Sequence, residues 1–182
     1  MVISKQLRKV LDQTNIDDIA IPLNIFDALN EIKKSNKVGL SLCIGYNSSM
    51  SPHIYSMDID IYNNMSYNVF DIDLIDHIKK SSNLDGAILI DNKGNLKHSG
   101  KYYRHDPGDT LIKMNGSYNS QKMLWENYGF NLPVCTRHLS AINGSFHMPK
   151  TIIFVLSEEY QDIRSFYKGN ILYSPYSSEI NI

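Results

Sequence analysis

The chain has 182 residues, 42% of them hydrophobic and 20% charged, and its 18 basic and 19 acidic residues give a formal net charge of -1. This length fits one domain of ordinary size, and the apolar fraction suffices for a hydrophobic core, so the composition excludes a wholly disordered chain. The balanced charge excludes an overall basic surface that would recruit nucleic acid by counterion release, so an anion would have to bind at a local site.

The N-terminus and the cysteines bear on the compartment in which the chain acts. Residues 1–13 contain no apolar region typical of a signal peptide, and no stretch reaches the roughly 18 apolar residues of a membrane helix. Cys43 and Cys135 lie far apart and have no metal-ligand spacing. We therefore expect a cytoplasmic protein with reduced thiols, without membrane association and without a nucleic-acid partner.

Helical and strand patterns alternate in the first half of the chain. Apolar residues recur at helical spacing over 5–11, 22–34 and 66–80, which predicts three helices. The apolar run 38–44 predicts a buried strand. A further strand is predicted at 87–90, and the turn residues that follow it indicate a hairpin with the next segment.

The second half begins with a polar stretch and ends in strands. Residues 103–128 show no clear period before a short possible helix at 120–128, so most of this stretch is predicted to be a long surface loop. The apolar run 151–156 predicts a fully buried central strand. Residues 166–173 predict a terminal strand with a bulge or bend at 169–170.

These elements predict the fold class and the domain organisation. Strands mixed with helices, and one strand too apolar for an edge, indicate an α/β or α+β domain with a central mixed parallel and antiparallel sheet flanked by helices. We expect an N-terminal helical segment at 1–35, followed by the main body at 36–182, in one compact domain.

Three short polar motifs stand at predicted strand ends, where α/β sheets place ligands. Each motif alone has a commoner meaning, since Asp-Gly usually forms a turn and Ser-Glu-Glu usually forms a helix cap or a solvated corner. The motifs are Asp85-Gly86-Ala87, Thr136-Arg137-His138 and Ser157-Glu158-Glu159.

Taken together, the motifs resemble a known family. LDGAILID, CTRHLSAI and IFVLSEE are similar, in this order, to the DGA, GTRHRAA and VVSEE motifs of the diadenylate cyclase domain, and YKGNILY resembles its closing strand. That nucleotide-binding domain is also found in the DNA-integrity scanning protein. The resemblance covers about 38–173, and it implies that the main body at 36–182 is a nucleotide-binding domain of this type.

The resemblance implies an activity and its partners. The family condenses two ATP molecules into cyclic di-AMP and two pyrophosphates, by attack of each 3'-hydroxyl on the other α-phosphate. Two domains face each other for this reaction, which implies a head-to-head homodimer or a larger homo-oligomer. The resemblance also implies Mg²⁺ or Mn²⁺ as the metal.

The motif residues suit these roles. A helix that begins at Thr136 offers N–H donors and a favourable dipole to a triphosphate, and the planar fork of Arg137 can hold phosphate oxygens. Asp85 is the candidate for activation of the 3'-hydroxyl, and we expect Asp85 and His138 to bind the metal. Together with Arg137, Asp85 forms the predicted catalytic pair. The residues predicted to bind nucleotide are Gly86, Ala87, Tyr103, Thr136, Arg137, Ser157 and Glu159.

Two alternatives stay open at this point. Cys135 and Leu139 stand where the family has glycine and arginine, which is compatible with a non-catalytic nucleotide-binding or sensor module on the same fold. The other interpretation of His138 is a hydrogen-bonded structural histidine. The second alternative is an unrelated α/β interaction protein, for which the order of the motifs would be a coincidence.

Overall fold

The structure is a computed structural model that describes residues 2–12, 14, 16–35, 37–56 and 59–180. The helices are α1 (Val2–Leu11), α2 (Ala20–Ser35), α3 (Leu74–Ser81), α4 (Pro107–Asn115), α5 (Leu124–Asn127) and α6 (Thr136–His147). The strands are β1 (Leu40–Tyr46), β2 (Ile54–Ser56), β3 (Tyr67–Asn68), β4 (Ala87–Asp91), β5 (Asn95–Tyr103), β6 (Ile152–Leu156), β7 (Ile163–Tyr167) and β8 (Asn170–Tyr173). Short 3-10 helices occupy Ser48–His53 and Ser177–Glu179.

The eight strands of the described residues form one mixed sheet. Its order is β2-β5-β4-β1-β6-β7-β8, and β3 also pairs with β5. β1 runs parallel to β4 and antiparallel to β6, and all other pairs are antiparallel. This architecture confirms the predicted mixed sheet flanked by helices.

Helices cover both faces of this sheet and form two hydrophobic clusters. Side chains of α1, α2 and α3 pack on one face, against strand residues such as Leu42 and Phe154. Side chains of α4 and α6 pack on the other face, against residues such as Cys43 and Ile153. Because successive strand residues point to opposite faces, β6 must be apolar at every position, and all five of its residues are buried.

Most elements lie where periodicity predicts them, but 66–80 does not form one helix. Its first part is β3, and only α3 is helical. Asn68 explains the break, because its backbone N–H donates to the Asp71 carboxylate and its side-chain oxygen accepts from the Phe70 N–H. Such local bonds compete with a helix, and Phe70 and Ile72 are left exposed.

The predicted surface loop at 103–128 contains a second helix that periodicity missed. Asp106 caps α4 by accepting hydrogen bonds from the backbone N–H groups of Gly108 and Asp109, and Pro107 stands in the first turn. Gly116 ends the helix with a φ of 77°. The short helix predicted near 120–128 is confirmed as α5.

The predicted terminal strand at 166–173 is a hairpin of two strands. Tyr167 pairs with Asn170, so Lys168 and Gly169 alone form the turn between β7 and β8. Their φ values of 51° and 80° are those of a type I′ turn, which matches the twist of the flanking strands. The bulge or bend predicted at 169–170 is thus a tight two-residue turn, which begins one position earlier in the chain.

The helices also bear on membrane association. Within the described residues, α2 is the longest helix at 16 residues, and none combines the length and apolar character that crossing a membrane requires.

Candidate functional site

A small cavity opens at one edge of the sheet, beside the first turn of α6. Its volume is about 100 Å³. The residues that line it are Ser41, Asp85, Gly86, Ala87, Lys101, Tyr102, Tyr103, Thr136, Arg137 and Ser140. Six of the predicted site residues are therefore brought together: Asp85, Gly86, Ala87, Tyr103, Thr136 and Arg137.

Strand direction explains why residues so distant in sequence meet at this edge. β1 and β4 are parallel, so Gly39 and Asp85, which precede them, lie at the same edge of the sheet. β6 runs antiparallel to β1, which brings Glu158 to that edge as the chain leaves the strand. The edge thus combines the amino ends of two strands with the carboxyl end of a third.

Arg137 lies between the two other motifs. Its Nη2 atom is 3.6 Å from Asp85 Oδ1, and its Nη1 atom is 3.9 Å from Glu158 Oε2. The guanidinium is partly exposed, and both carboxylates are largely exposed, so solvent screens these ion pairs. The arginine is therefore held near the cavity by weak contacts that an incoming anion can replace.

Gly39 leaves the space that the guanidinium occupies. A Cβ atom on this residue would overlap Arg137 Nη1, and it would lie 3.0 Å from Arg137 Cζ and 3.3 Å from Glu158 Cβ. Gly39 is buried at the start of β1. The sequence gives a glycine before a predicted strand, but nothing in the periodicity marks it as a contact of the arginine.

The first turn of α6 is open to an anion. Cys135 is the N-cap residue, and its side chain makes no capping hydrogen bond. Thr136 is exposed, and Ser140 lines the cavity one turn further along. The N-terminus of a helix carries partial positive charge and backbone N–H donors, so this turn suits a phosphate group.

Gly86 is required by the backbone of the neighbouring strand. Its φ is +94°, and a Cβ atom would lie 2.8 Å from both Gly100 C and Lys101 N. The sequence analysis assigns this glycine to nucleotide binding, whereas the structure explains it by the close approach of β4 and β5. Asp85 precedes this tight point, and its Oδ1 accepts a hydrogen bond from the Gly86 N–H at 2.9 Å.

The two adjacent tyrosines of β5 occupy different environments. Tyr103 is buried, and α6 packs directly on its ring, because a Cβ atom on Gly144 would lie 2.8 Å from Tyr103 Cγ. Burial raises the pKa of the Tyr103 hydroxyl well above its ordinary value. Tyr102 is partly exposed and stacks on Tyr55, with ring centroids 5.5 Å apart. Of the two, only Tyr102 has an exposed ring surface at this edge.

Ser157 and Glu159 do not line the cavity. Ser157 is buried and organises the turn after β6, where its hydroxyl donates to Glu159 Oε2 at 3.1 Å and accepts from the Tyr160 N–H at 3.2 Å. Within the Ser-Glu-Glu motif, the side chain nearest Arg137 is that of Glu158, which the sequence analysis did not select. The alternation of side chains along β6 stops where the strand ends, so the sequence does not tell which of the two glutamates lies near Arg137.

His138 lies behind the first turn of α6 rather than in the cavity. It is buried, with Nδ1 3.3 Å from Cys135 Sγ and with its ring against Phe130 and Phe166. Burial lowers the pKa of His138 to about 3, so the imidazole is neutral at pH 7. The structure therefore does not bring His138 together with Asp85.

Lys101 is a cavity residue that the sequence analysis missed. Its ammonium group donates to Ser56 Oγ at 2.8 Å and lies 3.2 Å from Asp60 Oδ2. These partners hold the lysine on β5 beside the cavity. A lysine in the second strand of a hairpin is usually a solvated side chain, so its position gives no signal in the sequence.

Comparisons with known proteins identify the fold. A hypothetical membrane spanning protein from Bacillus cereus superposes with a TM-score of 0.54 and 16% identity, over 87% of this chain and 62% of that chain. DacA from Staphylococcus aureus, solved as a double mutant, superposes with a TM-score of 0.53 and 18% identity, over 88% of this chain and 89% of that chain. The chain thus spans less than two thirds of the Bacillus protein.

At these identities the likeness concerns the fold alone. No protein-family model and no curated protein sequence matches the chain. The resemblance predicted from the three motifs is confirmed at the level of the fold.

Proposed function

We propose that this chain is a diadenylate cyclase, which condenses two ATP molecules into cyclic di-AMP and two pyrophosphates in the cytoplasm. The observation that carries the proposal is the position of Arg137, between Asp85 and Glu158 and next to the open first turn of α6. Arg137 lines the cavity and lies close to a carboxylate from each of the other two motifs of the family resemblance. The shared fold with DacA, a diadenylate cyclase, supports it.

In this proposal the triphosphate of ATP binds at α6. Backbone N–H groups of the first turn and the Thr136 hydroxyl donate to phosphate oxygens, and Arg137 exchanges its weak carboxylate contacts for stronger bonds to phosphate. Ser157 and Glu159 act indirectly, through the turn that presents Glu158. Catalysis rests mainly on positioning and charge neutralisation, as in other phosphate displacements.

The donor atoms near Arg137 fit a hard cation. Asp85 and Glu158 offer carboxylate oxygens on either side of one guanidinium, and Mg²⁺ and Mn²⁺ prefer such ligands. We propose that Asp85 holds the metal with help from Glu158, and that His138 takes no part. A bound metal would neutralise charge on the reacting phosphates. Asp85 is also placed to accept the proton of the 3'-hydroxyl.

A second copy of the chain is part of the proposal. The cavity of about 100 Å³ is far smaller than the roughly 300 to 1,000 Å³ of an ordinary ligand pocket, so one copy leaves most of an ATP molecule uncovered. Two copies facing each other would enclose two nucleotides and bring each 3'-hydroxyl to the other α-phosphate. Two-fold symmetry suits two identical substrates.

The direct test is turnover of ATP by the purified protein with Mn²⁺ or Mg²⁺, followed by mass spectrometry of the nucleotides. We expect cyclic di-AMP from the wild type and none from Asp85→Asn, which removes a charge with little change of shape. Asp27→Asn, on the exposed face of α2, is the matched control and should keep full activity. ATP binding without any product would instead identify a nucleotide-binding module, and full activity of Asp85→Asn would refute the assigned role.

The need for two copies has its own test. Activity per chain should rise with protein concentration, because dilution separates the facing domains. Sedimentation measurements at the same concentrations should follow the same curve. Undiminished activity from a monomer would contradict the head-to-head arrangement.

A further inference from the structure

Three histidines from distant parts of the sequence meet on the α4 and α6 side of the sheet. His53 ends a 3-10 helix, His105 follows β5, and His147 is the last residue of α6. One ring nitrogen from each lies within 4.8 Å of those from the other two, and each residue is partly buried. The chain has six histidines in all, so half of them converge at this point.

The rings are in direct contact. His53 Nδ1 and His105 Nε2 are 2.7 Å apart, which requires one shared proton between two nitrogens. The rings of His105 and His147 stack with centroids 3.5 Å apart. Burial lowers the pKa of both residues, that of His147 to about 4, and the nearby exposed Lys113 acts in the same direction. Burial therefore favours the neutral, metal-binding form of His105 and His147.

A hydrogen-bonded chain behind the rings fixes the tautomer of His147. The Asn143 amide N–H donates to the His105 carbonyl, so the amide oxygen faces the Thr110 hydroxyl. Thr110 Oγ1 has two oxygen acceptors in reach, the Asn143 amide oxygen and the Asp106 backbone carbonyl at 3.0 Å, so its single proton goes to one of these oxygens. Thr110 Oγ1, 3.0 Å from His147 Nε2, then accepts from the Nε2–H and leaves the lone pair on Nδ1.

We propose that His53, His105 and His147 bind one Zn²⁺ ion. The inference goes beyond the proposed nucleotide chemistry and does not depend on it. Three imidazoles are a recognised zinc ligand set with one position left for water or another ligand, and imidazole selects zinc and similar transition metals over Mg²⁺. Thr110 is a positioning residue, in the role of the outer partner that orients a ligating histidine.

Zinc binding requires the three side chains to rearrange within the cluster. Two nitrogens that each lie about 2.0 to 2.1 Å from one zinc ion are about 3.3 Å apart in a tetrahedral site. The nitrogens that lie up to 4.8 Å apart would thus need to approach by at most about 1.5 Å. The stacked rings of His105 and His147 would also have to turn so that the lone pairs of both point at the ion. Zinc would take the place of the proton shared by His53 and His105. That proton would move to the other nitrogen of its own ring, so neutral rings would bind zinc without net release of a proton.

This site is separate from the cavity that we assign to nucleotide. Ser140 lines that cavity and His147 lies seven residues further along the same helix, which is about 10 Å at 1.5 Å per residue. The two sites share α6 and the end of β5. Zinc bound at the C-terminal end of α6 is therefore in a position to stiffen the helix, whose N-terminal end lines the proposed nucleotide cavity.

The test uses the full chain, freed of metal with a chelator and titrated with zinc chloride against a chromophoric chelator. We expect one zinc per wild-type chain, and a loss of affinity of at least about 100-fold in His105→Asn, which exceeds the usual effect of an outer partner. His98→Asn is the matched control, because it removes an imidazole outside the cluster. Thr110→Val should weaken binding by about 10- to 100-fold, and Thr110→Ser should restore it.

A second measurement needs no variant. In wild-type protein with ¹⁵N-labelled histidine, zinc should shift the imidazole signals of three histidines and leave the other three unchanged. Before zinc is added, His147 should show the Nε2–H tautomer. The absence of any imidazole response, a response from His77 or His98 instead, or unchanged affinity in a folded His105→Asn protein would each overturn the proposal.

Discussion

Replacement of Gly39 by alanine should disable Arg137 without unfolding the protein. The added methyl group would overlap Arg137 Nη1 and lie 3.0 Å from Cζ, where carbon atoms normally keep about 3.5 to 4.0 Å. The guanidinium must therefore move away from the cavity by at least about half an ångström to one ångström. The φ of Gly39 lies outside the left-handed region, so alanine fits the backbone, and the fold should be retained.

The size of the effect follows from the bond that is lost. A hydrogen bond to a charged group contributes about 1.5 to 3 kcal/mol, which corresponds to about 10- to 150-fold in affinity. We expect Gly39→Ala to weaken nucleotide binding by a factor in this range, with a melting temperature close to that of the wild type. Weaker binding at an unchanged melting temperature would show that the substitution affects the binding site and not the stability of the fold.

The assay is isothermal titration calorimetry with α,β-methylene ATP, which resists the displacement of pyrophosphate. A double-mutant cycle provides the control, since Gly39→Ala should have no further effect once Arg137→Ala has removed the guanidinium. If the two changes weaken binding additively, Gly39 does not act through Arg137. Wild-type affinity in Gly39→Ala would refute the reasoning altogether.

Three further predictions concern residues outside the cavity. Leu139 is partly buried against the core under α6. Leu139→Arg should therefore lower the free energy of unfolding, measured with urea, by about 1 to 3 kcal/mol and leave the affinity for ATP unchanged. Tighter binding of ATP would instead place residue 139 in the site. Because burial lowers the pKa of His138 to about 3, the histidine is protonated in the unfolded chain before it is protonated in the folded one. Acidification from pH 7 to pH 5 should therefore lower the free energy of unfolding by about 2 kcal/mol, and a folded His138→Gln protein should not show this loss. Glu179→Ala should lower the free energy of unfolding by about 3 to 5 kcal/mol, because it removes a carboxylate that bonds the fully buried Arg164 at 2.8 Å and 3.2 Å. A loss below about 1 kcal/mol would show that Asp162 alone suffices as the counter-charge of Arg164.

Most of the fold could be predicted from periodicity. Core packing makes every position of a buried strand such as β6 apolar. It also makes apolar residues recur at helical spacing in a helix such as α2, so both kinds of element are visible in the sequence. The errors fall where one residue's local bonds decide the backbone. Asn68 keeps the first part of 66–80 out of the helix, and Asp106 begins α4 within a polar stretch. Lys168 adopts a left-handed conformation that is uncommon for a residue with a side chain.

The motifs predicted the place of the site better than its individual contacts. Asp85, Thr136 and Arg137 meet at one cavity because each stands at a strand or helix end, which the sequence reveals. The register between strands far apart in the chain decides which glutamate after β6 lies near Arg137. The same register decides which strand supplies the glycine next to the guanidinium. A single sequence contains no such information.

The buried ion pair between Arg164 and Glu179 also constrains how this fold can change through evolution. The two residues are 15 positions apart, on β7 and in the last 3-10 helix, yet their side chains are fully enclosed. Loss of either partner leaves a charge in the core, whereas replacement of both by apolar residues of similar volume is close to neutral. In relatives that share this architecture, we therefore expect the arginine and the glutamate to be present together or missing together, and sequences with only one of them to be rare.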